Sequence, residues 1–206
     1  MKIALHARNQ VWEHRAAASR KSMVCALVLI VAISLCLLNQ ADCGAQSATE
    51  YQVKAAYLFN FLKFVEWPDA PPREVQTKWV IGVIGTSPVG DELLKLAESK
   101  NVLGRELEVK TFKPTENLRG CNILFVSDSE KKRLPAILAS LRGSSVMTVA
   151  DMDHFIDVGG MVQFVVENER IRISIDVGAT GRARLKISSK LLALARAVTE
   201  DGSTKN

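Results

Sequence analysis

Cysteine is scarce where it would matter most. The 206-residue chain has four, and Cys25, Cys36 and Cys43 all fall within its first 43 residues. Cys121 stands alone beyond them, so the main body of the chain cannot close an internal disulfide. Its setting, Cys121-Asn122-Ile123-Leu124-Phe125-Val126, reads as the mouth of a core strand, where a packed and inert thiol is expected. Histidine is scarcer still, with three in all and only His154 beyond residue 14. That argues against a zinc site built on several histidines. No apolar run reaches the roughly 20 residues that a membrane span needs. No Lys/Arg run and no basic–aromatic stripe follows the N-terminal region, which leaves no case for nucleic acid.

What is present begins with an export signal. Met1–Lys21 carries Lys2, Arg8, Arg15, Arg20 and Lys21 against one acid, Glu13, and Met23–Leu38 is a nearly uninterrupted apolar run. Cys43-Gly44-Ala45 then offers the small residues that signal peptidase reads. Residues 1–45 are expected to be a cleaved signal peptide with a long basic n-region, the alternative being an uncleaved N-terminal anchor. Asp42 before Cys43 argues against a lipoprotein. Removing residues 1–45 lowers the formal net charge from +5 to +2, so the basic character mostly belongs to the signal.

Tyr51–Trp67, YQVKAAYLFNFLKFVEW, holds six aromatics. At 100° per residue Gln52, Asn60, Lys63 and Glu66 share one narrow stripe, and nearly everything else is apolar. Such a helix must bury into more than one neighbour, or into another protein. Phe59 projects onto the polar stripe and Trp67 precedes Pro68, which ends the helix. A greasy core helix is one reading. A partner-docking surface made of Phe59, Lys63 and Trp67 is the other.

Beyond it, strand-like and helix-like patterns alternate. Trp79–Ile84 and Asn122–Val126 are continuous apolar strands, Glu106–Phe112 alternates like an edge strand, and Ser145–Ala150 is a fourth. Helices are expected from Ser87-Pro88 to about Lys100 and over Ser129–Leu141. Met161–Val166 and Arg170–Asp176, joined through Glu167-Asn168-Glu169, read as an antiparallel hairpin at the sheet's end. A loose segment, Gly178–Lys186, then leads to a last helix at Ser189–Val198 and a disordered tail, 201–206. The expected architecture is α/β: a single three-layer sandwich over residues 46–200, with a mostly parallel sheet and a C-terminal hairpin.

Chemistry is hard to find. Gly85-Thr86-Ser87-Pro88-Val89-Gly90 has the wrong spacing for a nucleophile elbow and matches no phosphate loop. Asp151-Met152-Asp153-His154-Phe155-Ile156-Asp157 would put His154 and Asp157 on one helix face, but no second His or thiolate stands near. A Cys121–His154 catalytic pair lacks an orienting group. No enzyme, metal or cofactor is expected. In open α/β sheets ligands settle beyond the carboxyl ends of strands where strand order reverses. That crevice would be lined by Gly85, Thr86, Ser127, Ser129 and Asp151.

Four blocks carry a resemblance: VKAAYLFNFLKFVEWP at Val53–Pro68, GCNILFVS at Gly120–Ser127, GGMVQFVVENERIRISID at Gly159–Asp176, and LKISSKLLALA at Leu185–Ala195. Together they resemble the YfiR-like family of periplasmic proteins, from about Tyr51 to Val198. The resemblance implies a non-enzymatic periplasmic regulator that binds and represses the sensor region of an inner-membrane diguanylate cyclase. It also implies an α/β sandwich and possible homodimers, with membrane contact only through the partner or an uncleaved signal. Asp176 stands where the family often has Asn, and Cys121 lacks the partners that give some relatives disulfides. The alternative is a periplasmic small-molecule sensor using the crevice at the strand ends.

Overall fold

The computed structural model describes residues 42–67, 78–99, 101–113, 115–200 and 203–205. The expected signal peptide, apart from its last four residues, lies outside them. The chain divides into two units, Met1–Ser47 and Ala48–Asn206, of which the second carries the fold.

Helix α1 (Asp42–Phe64) leads into a two-residue strand β1 (Val65–Glu66). There follow β2 (Lys78–Ile84), α2 (Val89–Ser99), β3 (Glu106–Phe112), β4 (Ile123–Val126), α3 (Leu134–Ser140) and β5 (Met147–Ala150). The chain closes with β6 (Val162–Glu167), β7 (Arg170–Asp176), α4 (Val177–Arg182), β8 (Lys186–Ile187), α5 (Ser189–Leu192), β9 (Ala197–Glu200) and β10 (Ser203–Lys205). Eight strands form the main sheet in the order β10-β9-β7-β6-β5-β4-β2-β3. The pairs from β3 through β6 are parallel, as is β7 with β9, whereas β6–β7 and β9–β10 are antiparallel. β1 and β8 form a separate antiparallel pair.

The layers follow from alternation along the central strands. In β4, Ile123 and Phe125 join one core with α1, α2 and Leu191 of α5, while Leu124 and Val126 join a second core with Leu134 and Ile137 of α3. Both faces are therefore covered, which is why β4 reads as unbroken apolar sequence. Ala55, Leu58, Phe61 and Leu62 of α1 are wholly buried. Each large side chain among them contributes roughly 1.5–3 kcal/mol of transfer free energy. The exposed side chains of α1 after Glu50 are Gln52 and Lys63, on the expected stripe, and Val53 to one side of it, whereas Asn60 of the stripe is half-buried.

Five expectations are corrected. The helix expected over Ser129–Leu141 is a 3₁₀ segment, Asp128–Arg133, followed by α3. Pro135, in the first turn of α3, cannot donate the hydrogen bond that would continue a helix from the preceding turn. The loose segment contains α4, whose first turn is capped by the Asp176 carboxylate accepting from the Ala179 N–H at 2.8 Å. The last expected helix is only the short α5; after a turn its last two residues, Ala197 and Val198, enter β9, because the edge of β7 offers Ala197, Val198 and Thr199 a parallel partner in Ser174, Ile175 and Asp176. The hairpin is thus not at the sheet's end, and Ser203–Lys205 of the expected tail pairs with β9. The hairpin itself is tight: Glu167 pairs with Arg170 around Asn168 and Glu169, both at positive φ (48° and 60°).

Candidate functional site

Strand order reverses between β2 and β4, and the loops leaving their carboxyl ends bring Gly85, Thr86, Ser127 and Ser129 together. The Thr86 N–H donates to Ser129 Oγ at 2.9 Å. The Ser127 hydroxyl donates to the Thr86 carbonyl at 2.6 Å, and Ser129 Oγ lies 3.3 Å from Ser127 Oγ. Gly85 makes this closeness possible. Its φ is +88°, and a Cβ there would meet Ser129 Oγ and, at 2.8 Å, Glu130 Cγ. The four residues meet as expected, but the hydroxyls of Ser127 and Ser129 are spent within the cluster.

Asp151 does not join them. Val126 pairs with Ala150, so Asp151 follows at the same end of the sheet. Its carboxylate instead accepts from Lys54 Nζ at 2.7 Å. Lys54 also pairs with Glu50 at 2.6 Å, and its side chain is 5 % exposed. Burial, the largest single influence, lowers the Lys54 pKa; hydrogen bonds and charges from Asp151 and Glu50 together outweigh it and leave the pKa raised. Lys54 escapes the reading of the stripe, although a lysine on the apolar side of α1 is itself the signal of a buried partner. Glu130 was not, because in Ser129-Glu130-Lys131-Lys132-Arg133 a charge run reads as solvated. It is buried, with Oε1 accepting from Arg133 Nη2 at 2.8 Å and Oε2 without a partner among the described residues.

The three residues expected to dock a partner are not a common exposed surface. Phe59 is 6 % and Trp67 8 % exposed, whereas Lys63 is exposed. Phe59 belongs to the core shared by α1 and α2, and Lys63 Nζ sits 4.7 Å over its ring, covering it from the solvent side. Trp67 is buried because α1 ends at Phe64, three residues before the Trp67-Pro68 stop. The chain then extends as β1 and turns the indole onto Trp79, with centroids 5.4 Å apart. Arg105 stacks on Trp79 in turn at 4.8 Å.

The acidic segment around His154 is a series of turns rather than a helix, with His154 at φ +62°. His154 Nδ1 and Asp157 Oδ2 still meet, at 2.7 Å, in the open. Among the described residues no three His, Cys, Asp or Glu side chains come together to hold a metal ion. Cys121 is buried just before β4, its thiol donating to the Leu118 carbonyl at 3.1 Å. Burial pushes that thiol up to about 12. It lies at the amino end of the parallel strands and His154 beyond the carboxyl end of β5, so the two make no catalytic pair. No helix among the described residues is long and apolar enough to cross a membrane.

No curated protein matches the chain. A family model described as YfiR/HmsC-like does, over residues 51–196, from Tyr51 in α1 to the residue before β9. That span takes in both cores, the reversal of strand order and the hairpin, and by it the chain belongs to the YfiR/HmsC-like family.

Proposed function

We propose that this protein is a periplasmic regulator that binds the sensor region of an inner-membrane diguanylate cyclase and holds that enzyme inactive. The observation that carries this reading is the family match across the α/β domain. The chemistry agrees with a regulatory role. The only thiol among the described side chains is protonated and buried, and the exposed His154 pairs with a carboxylate rather than with a nucleophile. The exposed residues of α1, Gln52, Val53 and Lys63, are the docking surface in this reading, with Phe59 supporting Lys63 from beneath and Trp67 packed on Trp79 rather than touching the partner. Capture of membrane proteins by the tagged domain tests it. A cyclase should be retained, Lys63→Glu should weaken retention without changing thermal unfolding, and deleting the gene should raise cellular cyclic-di-GMP. Unchanged cyclic-di-GMP together with capture indifferent to Lys63→Glu would sink the proposal.

A small-molecule sensor is the second reading. It is favoured by the convergence of Gly85, Thr86, Ser127 and Ser129 at the reversal of strand order, beside Glu130 Oε2, which has no partner among the described residues. Ligand binding there would have to displace the hydrogen bonds that now close the loops. The two readings are compatible if such a ligand gates repression.

A further inference from the structure

At the opposite end of the sheet a second, open site lies between α3 and α4. Ser144 precedes β5 and Met161 precedes β6, while α4 leaves the carboxyl end of β7, which runs antiparallel to β6. All three therefore gather at the amino ends of β5 and β6, away from Gly85 and Ser127. They enclose a cavity of about 360 Å³, at the lower end of the size range of small-ligand pockets.

Its walls have two characters. Leu138, Leu141 and Met161 supply apolar surface, and Arg142 and Arg182, both exposed, stand at the solvent side. Among the described residues no acidic one lines it. The nearest acid in sequence, Asp157, is engaged with His154. The carbonyl end of α3 would ordinarily repel an anion. Here Arg119 covers it, donating from Nε to Ser140 O at 3.0 Å and from Nη2 to Arg142 O at 2.9 Å. The Arg142 guanidinium has no partner among the described residues. Thr148, 2 % exposed, also lines the cavity. Its Oγ1 accepts from the Met161 N–H at 3.2 Å, which leaves the hydroxyl a proton to donate with no acceptor among the described residues.

An apolar wall, a buried hydroxyl donor and a cationic rim define one ligand chemistry. We infer that this cavity binds a small amphipathic carboxylate, its apolar body against Leu138, Leu141 and Met161 and its carboxylate at Arg142. Guanidinium matches carboxylate in geometry as well as charge. The site is separate from the exposed stripe of α1 and from the loops at the reversal of strand order, so it stands or falls independently of cyclase capture.

Octanoate and its neutral counterpart octanol, titrated into the isotope-labelled mature domain and followed by amide chemical shifts, test the inference. Octanoate should perturb residues 138–144, 158–161 and 179–183, and octanol should bind at least about fivefold more weakly. Arg142→Glu reverses a charge on an exposed side chain and should weaken octanoate at least about fivefold, leaving the rest of the spectrum in place. Val158→Trp, at a residue 53 % exposed on the cavity's edge, should block it sterically and serves if the charge reversal disturbs the fold. Absence of shifts in those three segments overturns the inference. So does equal binding of octanol, or octanoate binding that is indifferent to both variants.

Discussion

Replacing Lys54 by Met keeps the length of the side chain and removes its charge from between two carboxylates. Lys54 Nζ lies 2.6 Å from Glu50 and 2.7 Å from Asp151, so it ties the middle of α1 to the carboxyl end of β5. Removing one partner of a fully buried ion pair costs about 3–5 kcal/mol, because the other charge is left uncompensated. Here the abandoned carboxylates are 35 % (Glu50) and 19 % (Asp151) exposed, and water takes up part of that penalty. About 2–3 kcal/mol is therefore expected, or a fall in Tm of roughly 4–12 °C for a domain of this size. Lys63→Met, at an exposed position of the same helix, should stay within about 0.5 kcal/mol. Adding Asp151→Asn to Lys54→Met should recover more than about 1 kcal/mol, since it discharges the stranded carboxylate. The pH dependence has a definite sign. The folded pKa of Lys54 is raised, so its contribution is complete below the ordinary lysine value of 10.5 and is lost only as pH rises through the higher folded value. The penalty of Lys54→Met should hold constant from pH 7 to about 10 and shrink above that. Thermal unfolding of the three variants across that range is the assay. A Tm within about 1 °C of the parent at pH 7, or a double variant that is merely additive, would refute the reasoning.

Two further outcomes follow from burial. Phe59→Ala should cost about 3–5 kcal/mol, as core phenylalanines do, and at least as much as Phe64→Ala at the half-buried position beside it; chemical denaturation compares the pair, and a near-neutral Phe59→Ala would return Phe59 to the surface. Native Cys121, with its thiol held up to about 12, should resist thiol reagents at pH 8 and react only on unfolding, and Cys121→Ser should cost about 1 kcal/mol because the hydroxyl can still donate to Leu118; rapid labelling of the folded protein would contradict this.

Much of the fold was legible because local pattern and tertiary setting agree. Ile123–Val126 is apolar at every position on account of cores on both faces, and β7 alternates in exposure only at its start, where Arg170 and Arg172 are exposed; Ser174 and Asp176, expected on or near the wet face, are buried. The errors have a common cause in neighbours distant in sequence. Leu191, Leu192, Leu194, Ala195 and Val198 carry helical spacing, yet the chain from Ala197 is extended because β7 presents an unpaired edge there. Gly178 and Gly181 suggested a loop, although Asp176 was a readable cap for the helix that contains them.

The site divides in the same way. By itself the sequence determined the alternation of elements, the apolar circumference of α1, the lone thiol and the family, since each depends on residue type and spacing along the chain. Tertiary structure alone decided that Phe59 and Trp67 are interior, that Asp151 turns to Lys54 instead of the serines, and that Arg142, Thr148 and Met161 share a cavity. Those depend on which segment lies opposite, and a one-dimensional pattern records a side chain's own face but not what comes to cover it.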